Sequence, residues 1–291
     1  MYMQIIYSCF EKVKTLNKDN YIRNIDNKGN KLIGTTPLMI NSEIRFNGCN
    51  NVLFCEEQVT LVDSKLEFEG DDALIYIGKG EHRLWVSINS NSVFHCGQYS
   101  MQTNTMCIIV AEQKHCFIGD SCLFSSDIVI RNCDAHLIYC CNDGKRINQS
   151  ESVFIGDHVW IGQQVTILKG AKIDSGCIVG ANSLLPSKKA SHNCMWGGNP
   201  ARQLKSDVFW DKTLTYGFDE KMTRLSENYS KFLEEYREDC CKDHWIYQYD
   251  EEQEIKWEKL DRILSRGTVM EKCSILYELN KKKVKNRFVH K

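Results

Sequence analysis

From residue 155 to residue 185 every sixth position is aliphatic: Ile155, Ile161, Ile167, Ile173, Val179 and Leu185, with no slip in register. With roughly a quarter of residues aliphatic, six in register arise about once in four thousand starting positions, so the period needs other support. Two features supply it. Glycine follows the aliphatic at 156, 162 and 180, and Val159, Val165, Ala171, Cys177 and Ser183 recur two positions before it. The same phase returns upstream at Ile118, Phe124 and Ile130. A unit of six is too long for a hairpin strand with its turn, and it matches no helical period. It suits one flat side of a three-sided coil, in which each aliphatic points inward and stacks on its equivalent 18 residues later. The spacing therefore predicts Ile155 on Ile173, Ile161 on Val179 and Ile167 on Leu185. Gly, Asn and Asp gather at the corners because they tolerate positive φ.

The composition around this segment changes twice. Residues 1–40 form an N-terminal segment with a polar stretch from Asn17 to Asn30. Residues 41–204 are rich in Val, Ile, Gly, Asn, Asp and Cys, and residues 205–291 turn charged, aromatic and helical in period. The chain of 291 residues is 42% apolar, ample for a core. Its net charge of −1 gives no electrostatic case for nucleic acid. No run of 18 apolar residues is present to span a membrane. Met1 to Phe10 is too short an apolar start to read as a secretion signal, so a cytoplasmic location is expected. The 15 scattered cysteines lack framework spacing and read as reduced, small apolar residues.

In the C-terminal part, Leu225, Tyr229, Phe232, Leu233 and Tyr236 stand at helical spacing over 219–241. Trp257, Leu260, Ile263 and Leu264 do so over 250–266, stopped by Gly267, and a third short helix is expected over 269–283. The basic end from Lys281 to Lys291 reads as a solvated tail.

Ile130-Arg-Asn-Cys-Asp-Ala-His136, then Gly144-Lys-Arg-Ile-Asn148, then Val153-Phe-Ile-Gly-Asp-His-Val-Trp-Ile-Gly162 resemble the hexapeptide-repeat acyltransferases. Trp196-Gly-Gly-Asn-Pro-Ala-Arg-Gln-Leu204 is similar to that family's closing Gly-Asn-Pro-Ala signature. The combination looks like the bacterial O-acetyltransferases that decorate capsule, lipooligosaccharide or sialic acid. The resemblance implies a mainly β protein, a left-handed parallel β-helix with a C-terminal α-helical extension. It also implies a loop over 134–152, acetyl-CoA as co-substrate, a sugar or polysaccharide acceptor and a homotrimer.

The site residues follow from the same resemblance. His136 matches the family's general base. A sugar hydroxyl is a poor nucleophile at neutral pH, and a positioned base contributes roughly 10²–10⁴ in rate. The thioester carbonyl is then attacked directly, without a covalent enzyme intermediate. Asp134 shares a face with His136 on an extended strand and is a candidate to orient the imidazole. Trp160 matches a residue beside the acetyl group, where an indole wall excludes water. His158, in the same hexad, reads as structural. The positions matching Gln163, Gly180 and Ala181 contact the pantetheine arm, and those matching Pro186, Ser187 and Arg202 line the nucleotide end. Lys188, Lys189, Arg202 and Lys205 are the cations suited to a 3′-phosphate.

Cys133, Cys140 and Cys141 flank this region but lack the paired spacing of a zinc site, so no metal is expected. Two rival readings keep the fold. One acetylates the amine of a nucleotide-linked amino sugar. The other is a noncatalytic β-helix that scaffolds a glycan-synthesis complex.

Overall fold

The computed structural model describes residues 22–236, 255–281 and 285–289. Among them, short parallel strands wind around a three-sided coil for about seven turns. The first face is a nine-stranded sheet and the third a seven-stranded one. The second is a three-stranded sheet continued by a six-stranded sheet. Antiparallel pairing closes the two ends, where Ile22–Asn24 folds onto Lys31–Gly34 and Met195–Gly198 onto Ala201–Lys205.

The register is that of the hexads. Ile155 lies beside Ile173, Ile161 beside Val179 and Ile167 beside Leu185. Ile118, Phe124 and Ile130 continue the three rows one coil earlier, and all nine side chains are buried in one apolar column. The glycine after the aliphatic answers close approach between coils. A Cβ on Gly119 would lie 2.6 Å from the Gly156 carbonyl carbon, and one on Gly162 2.7 Å from the Ala181 nitrogen. Left-handed backbone at the corners is taken instead by residues such as Asp127, His158, Gln164 and Asn182.

The coil opens earlier than its sequence signature. Lys31–Gly34 and Leu38–Ile40 already belong to the first turn, so the boundary expected at residue 41 falls inside that turn. Partners in these lower coils stand 22, 19 and 22 residues apart, at Val52–Leu74, Leu74–Val93 and Val93–His115. Longer strands and looser turns there erase the strict period of six.

The middle of the first face is buried on both sides. Its strands Val52–Cys55, Leu74–Ile77, Val93–Cys96 and His115–Ile118 are buried at every residue. Such strands read as continuous apolar runs because both surfaces leave water. The helices supply the second cover. Those among the described residues are α1 (Glu220–Ser226), α2 (Tyr229–Tyr236), α3 (Trp257–Leu264) and α4 (Val269–Lys281). Trp257, Leu260 and Leu264 of α3 and Cys273 and Leu276 of α4 pack on Phe54, Tyr76, Phe117 and Phe154. Gly267 takes the left-handed region, with φ at 80°, beyond the end of α3. The single helix expected over 219–241 is two helices, because the Asn228 side chain accepts from the Lys231 N–H at 3.1 Å and starts α2 anew. Residues 237–254, which carry the remainder of that expected helix and the start of the next, lie outside the described residues.

The basic end is not a solvated tail where it is described. Phe288 is buried and stacks on Trp257, with ring centroids 4.1 Å apart. Arg287 lies buried at the corner between the first and second faces. Its Nη2 is 2.7 Å from Asp157 and 3.1 Å from Asp120, and its Nε donates to Asp157 at 3.0 Å. Burial disfavours the charge of this guanidinium, but the two carboxylates more than offset that and hold its pKa above the ordinary value. Arg287→Ala would strand two carboxylates away from water. The expected loss of unfolding free energy is about 3–5 kcal/mol, to be measured by denaturant titration; a loss below about 1 kcal/mol would show that water reaches the carboxylates instead.

Candidate functional site

The strand Val129–Arg131 ends on the third face, and the chain leaves the coil until Val153. This excursion departs from the corner between the third and first faces, where the resemblance placed a loop over 134–152. Within it, Tyr139 and Arg146 form an antiparallel bridge. Cys140 N–H donates to Lys145 O at 2.8 Å and Ile147 N–H to Ile138 O at 3.0 Å. The result is an arm with exposed Leu137, Ile138, Tyr139 and Ile147.

The arm is fastened below and above. One coil down, Arg146 donates two hydrogen bonds to Glu112, at 2.8 and 2.9 Å, and Ser150 Oγ donates to the same carboxylate at 2.5 Å. These bonds, that of Arg146 foremost, pull the Glu112 pKa down to about 2. One coil up, Lys169 Nζ reaches Asp134 Oδ2 at 2.5 Å, which with the Asn148 bond holds the Asp134 carboxyl below its usual range.

His136 stands exposed at the base of the arm, and its main-chain carbonyl accepts from Asn148 Nδ2 at 2.8 Å. The same Nδ2 donates to Asp134 at 3.0 Å. Asp134 is thus tied to Lys169 and Asn148, and it connects to His136 through Asn148 rather than through the imidazole.

His82, His95, His115 and His158 are buried. Burial pushes His82 and His158 down to about 4 and His95 and His115 to about 3. His158 is locked to Trp210: the rings stack at 4.2 Å, Trp210 Nε1 donates to His158 O at 2.9 Å, and His158 Nε2 lies 3.2 Å from Trp210 O. A structural role for His158 is what the geometry shows. Trp160 lies on the second face, 38% exposed, with its ring 6.0 Å from that of Trp210.

The expected cofactor residues occupy the upper coils. Gln163 and the pair Gly180 and Ala181 stack one above the other at the corner between the second and third faces, where Asn182 N–H donates to Gln163 O at 2.8 Å. Ser187 and Lys188 stand at the next corner, with Lys189 opening the final strand of the first face. Lys188 Nζ donates to Ala201 O at 3.2 Å, which ties that corner to the last strand, on which Arg202 and Lys205 are exposed. The structure therefore brings Trp160, Gln163, Gly180 and Ala181 together and sets His136 and Asp134 apart from them. One six-residue side of the prism, on the order of 15–20 Å, separates the two groups.

Sequence reasoning passed over Lys169, Glu112 and Trp210, whose partners are distant in sequence, and Asn148, whose partners lie across the folded arm. Among the described residues, Cys133, Cys140 and Cys141 are free thiols, and no cluster of three His, Cys, Asp or Glu side chains could hold a metal ion.

The family model for the bacterial transferase hexapeptide (six repeats) matches residues 152–187. The polysialic acid O-acetyltransferase of Neisseria meningitidis is 30% identical over 185 residues, 62% of this chain and 85% of that protein. A polysialic acid O-acetyltransferase of Escherichia coli O1:K1 is 29% identical over 105 residues, 36% of this chain and 34% of that protein. Among solved structures, the polySia specific acetyltransferase NeuO aligns at a TM-score of 0.59 and 26% identity, covering 70% of this chain and 91% of that one. The polysialic acid O-acetyltransferase OatWY aligns at 0.55 and 28%, covering 69% and 96%. The chain belongs to the hexapeptide-repeat acetyltransferases, and it is an acyltransferase.

The four buried histidines make stability sensitive to acid. Each is neutral when folded and has an unfolded pKa near 6.5, so the unfolded chain binds more protons below that value. Stability present above pH 6.5 is then lost as pH falls toward 4, on the order of 1 kcal/mol per histidine by pH 5.5. Asp120, whose pKa is raised by burial, works in the opposite direction but is a single group. Thermal denaturation should show the melting temperature falling from pH 7.5 to 5.5; a flat or rising profile would mean that these rings are hydrated.

Proposed function

We propose that this protein transfers an acetyl group from acetyl-CoA to a sugar hydroxyl of a bacterial surface polysaccharide, at a site completed by a second copy of the chain. The acceptor class is supported by the activity of the relatives, both polysialic acid O-acetyltransferases. The observation that carries the rest is the placement of exposed His136 one prism side away from Trp160, Gln163 and Ala181. A single copy holds both groups but cannot close them on one substrate. A neighbouring prism whose second-to-third corner meets the arm would do so, and the exposed Leu137, Ile138, Tyr139 and Ile147 give that contact an apolar surface. A closed homotrimer repeats this seam three times.

In this reading His136 takes the proton from the acceptor hydroxyl as its oxygen attacks the thioester carbonyl. The carbon–sulfur bond breaks, and the proton passes to the departing coenzyme A thiolate. Trp160 walls the reacting carbonyl from water. The backbone at Gln163, Gly180 and Ala181 lines the pantetheine arm. Ser187 lies at the nucleotide end, and Lys188, Lys189, Arg202 and Lys205 supply cations for the 3′-phosphate. The chemistry needs no metal. Use of acetyl-CoA puts the reaction in the cytoplasm, and among the described residues no helix is long and apolar enough to cross a membrane.

His136→Ala should lower turnover by at least 10²-fold while acetyl-CoA still raises the melting temperature. Activity within tenfold of wild type would remove His136 from the role of base. Mild alkali should release the product acetyl group, since an ester saponifies and an amide does not.

The shared seam has its own test. His136→Ala and Trp160→Ala chains, each impaired alone, should regain activity when co-expressed, because some seams then join two intact halves. No recovery in verified mixed assemblies would place the whole site within one copy.

A further inference from the structure

We infer that Asn148 is a positioning residue that sets the orientation of His136. This rests on the reading of His136 as the base and goes beyond it. Asn148 is 5% exposed and lies 12 residues from His136 along the chain. Its side chain holds the main chain on both sides of the residue that follows the base. Nδ2 donates to the His136 carbonyl at 2.8 Å, and Oδ1 accepts from the Ile138 N–H at 2.9 Å. The other bonds of the amide lead outward to the two fasteners of the arm. Nδ2 donates to Asp134 at 3.0 Å, which is paired with Lys169. Oδ1 accepts from Arg146 Nε at 3.2 Å, whose guanidinium is held by Glu112.

The amide thus makes four hydrogen bonds, two given and two taken, matching the capacity of the group. An aspartate of the same shape could only accept and a leucine could do neither, while a glutamine carries its amide one methylene farther out. Among the described residues, no hydrogen bond is made to the His136 ring itself, so its direction is set by the backbone that carries it. A displacement of about 1 Å at a reacting group can cost on the order of 10²-fold, and an exposed loop has no packing of its own to prevent one.

The test is steady-state kinetics on the full-length protein with acetyl-CoA and a surface-polysaccharide acceptor. Asn148→Ala should lower kcat by roughly 10- to 100-fold. The KM for acetyl-CoA should stay within about twofold and the melting temperature within a few degrees, because neither the cofactor wall nor the prism is touched. Asn148→Asp keeps both accepted bonds but turns a carboxylate toward Asp134 and the His136 carbonyl, so its kcat should fall as well. Adding Asp134→Asn to that variant restores a donor–acceptor pair and should recover part of the loss. A role confined to loop stability would lower the melting temperature with kcat and give no recovery in the double variant. Either that pattern, or an Asn148→Ala kcat within threefold of wild type, overturns the inference. If His136→Ala is itself active, the base assignment has failed and this inference falls with it, whereas an inactive His136→Ala beside an unimpaired Asn148→Ala overturns the inference alone.

Discussion

The column of stacked aliphatics along the prism axis governs everything else in this molecule. Ile118, Ile155 and Ile173 form one row, Phe124, Ile161 and Val179 the second, and Ile130, Ile167 and Leu185 the third. Each residue buries its side chain on its equivalent in the next coil, so a slip of one position would turn an apolar row toward water. Register fixed in this way also fixes where the chain turns. Corners therefore stack on corners, and Glu112, Asp134, Lys169 and Lys188 rise along one edge at spacings set by the strand separation of about 4.8 Å.

That edge shows how a rigid coil controls an irregular loop. The arm between residues 132 and 152 has no apolar core of its own, yet ion pairs with the coils beneath and above hold its base. Glu112 and Lys169 are corner residues, placed by the repeat, and their partners Arg146 and Asp134 belong to the arm. Exposed pairs of this kind contribute little stability individually. Their value here is geometric, since Asn148 joins them to the main chain around His136.

The upper coils could be read residue by residue from the sequence, because two-residue strands and tight turns leave the hexad undisturbed. The predicted stacks at 155–173, 161–179 and 167–185 are those observed. The lower coils were harder to place, since their turns vary in length while their inward residues still stack. The position of the excursion after Ile130 was also legible, as a break in the period. Its internal bonding was not: Asn148 contacts Asp134 and His136 across a folded loop, and no periodicity marks such a residue. The burial of Arg287 was least accessible, because its partner Asp157 lies 130 positions earlier and a basic cluster near it suggests solvent. The doubly buried strands of the first face did carry a signal, in runs such as Val52-Leu-Phe-Cys55 and Leu74-Ile-Tyr-Ile77. Their meaning needed the helices as well.

Those helices have a consequence for how the prism can vary. A wall whose middle strands are sheathed by α3 and α4 offers little bare sheet to another molecule, so contacts between copies are steered to the remaining sides. Insertions, deletions or new helices on the sheathed wall leave that docking geometry undisturbed. The outer layer is accordingly the part of this architecture most free to diverge, and the place where one member of the family can acquire bulk that its neighbours lack.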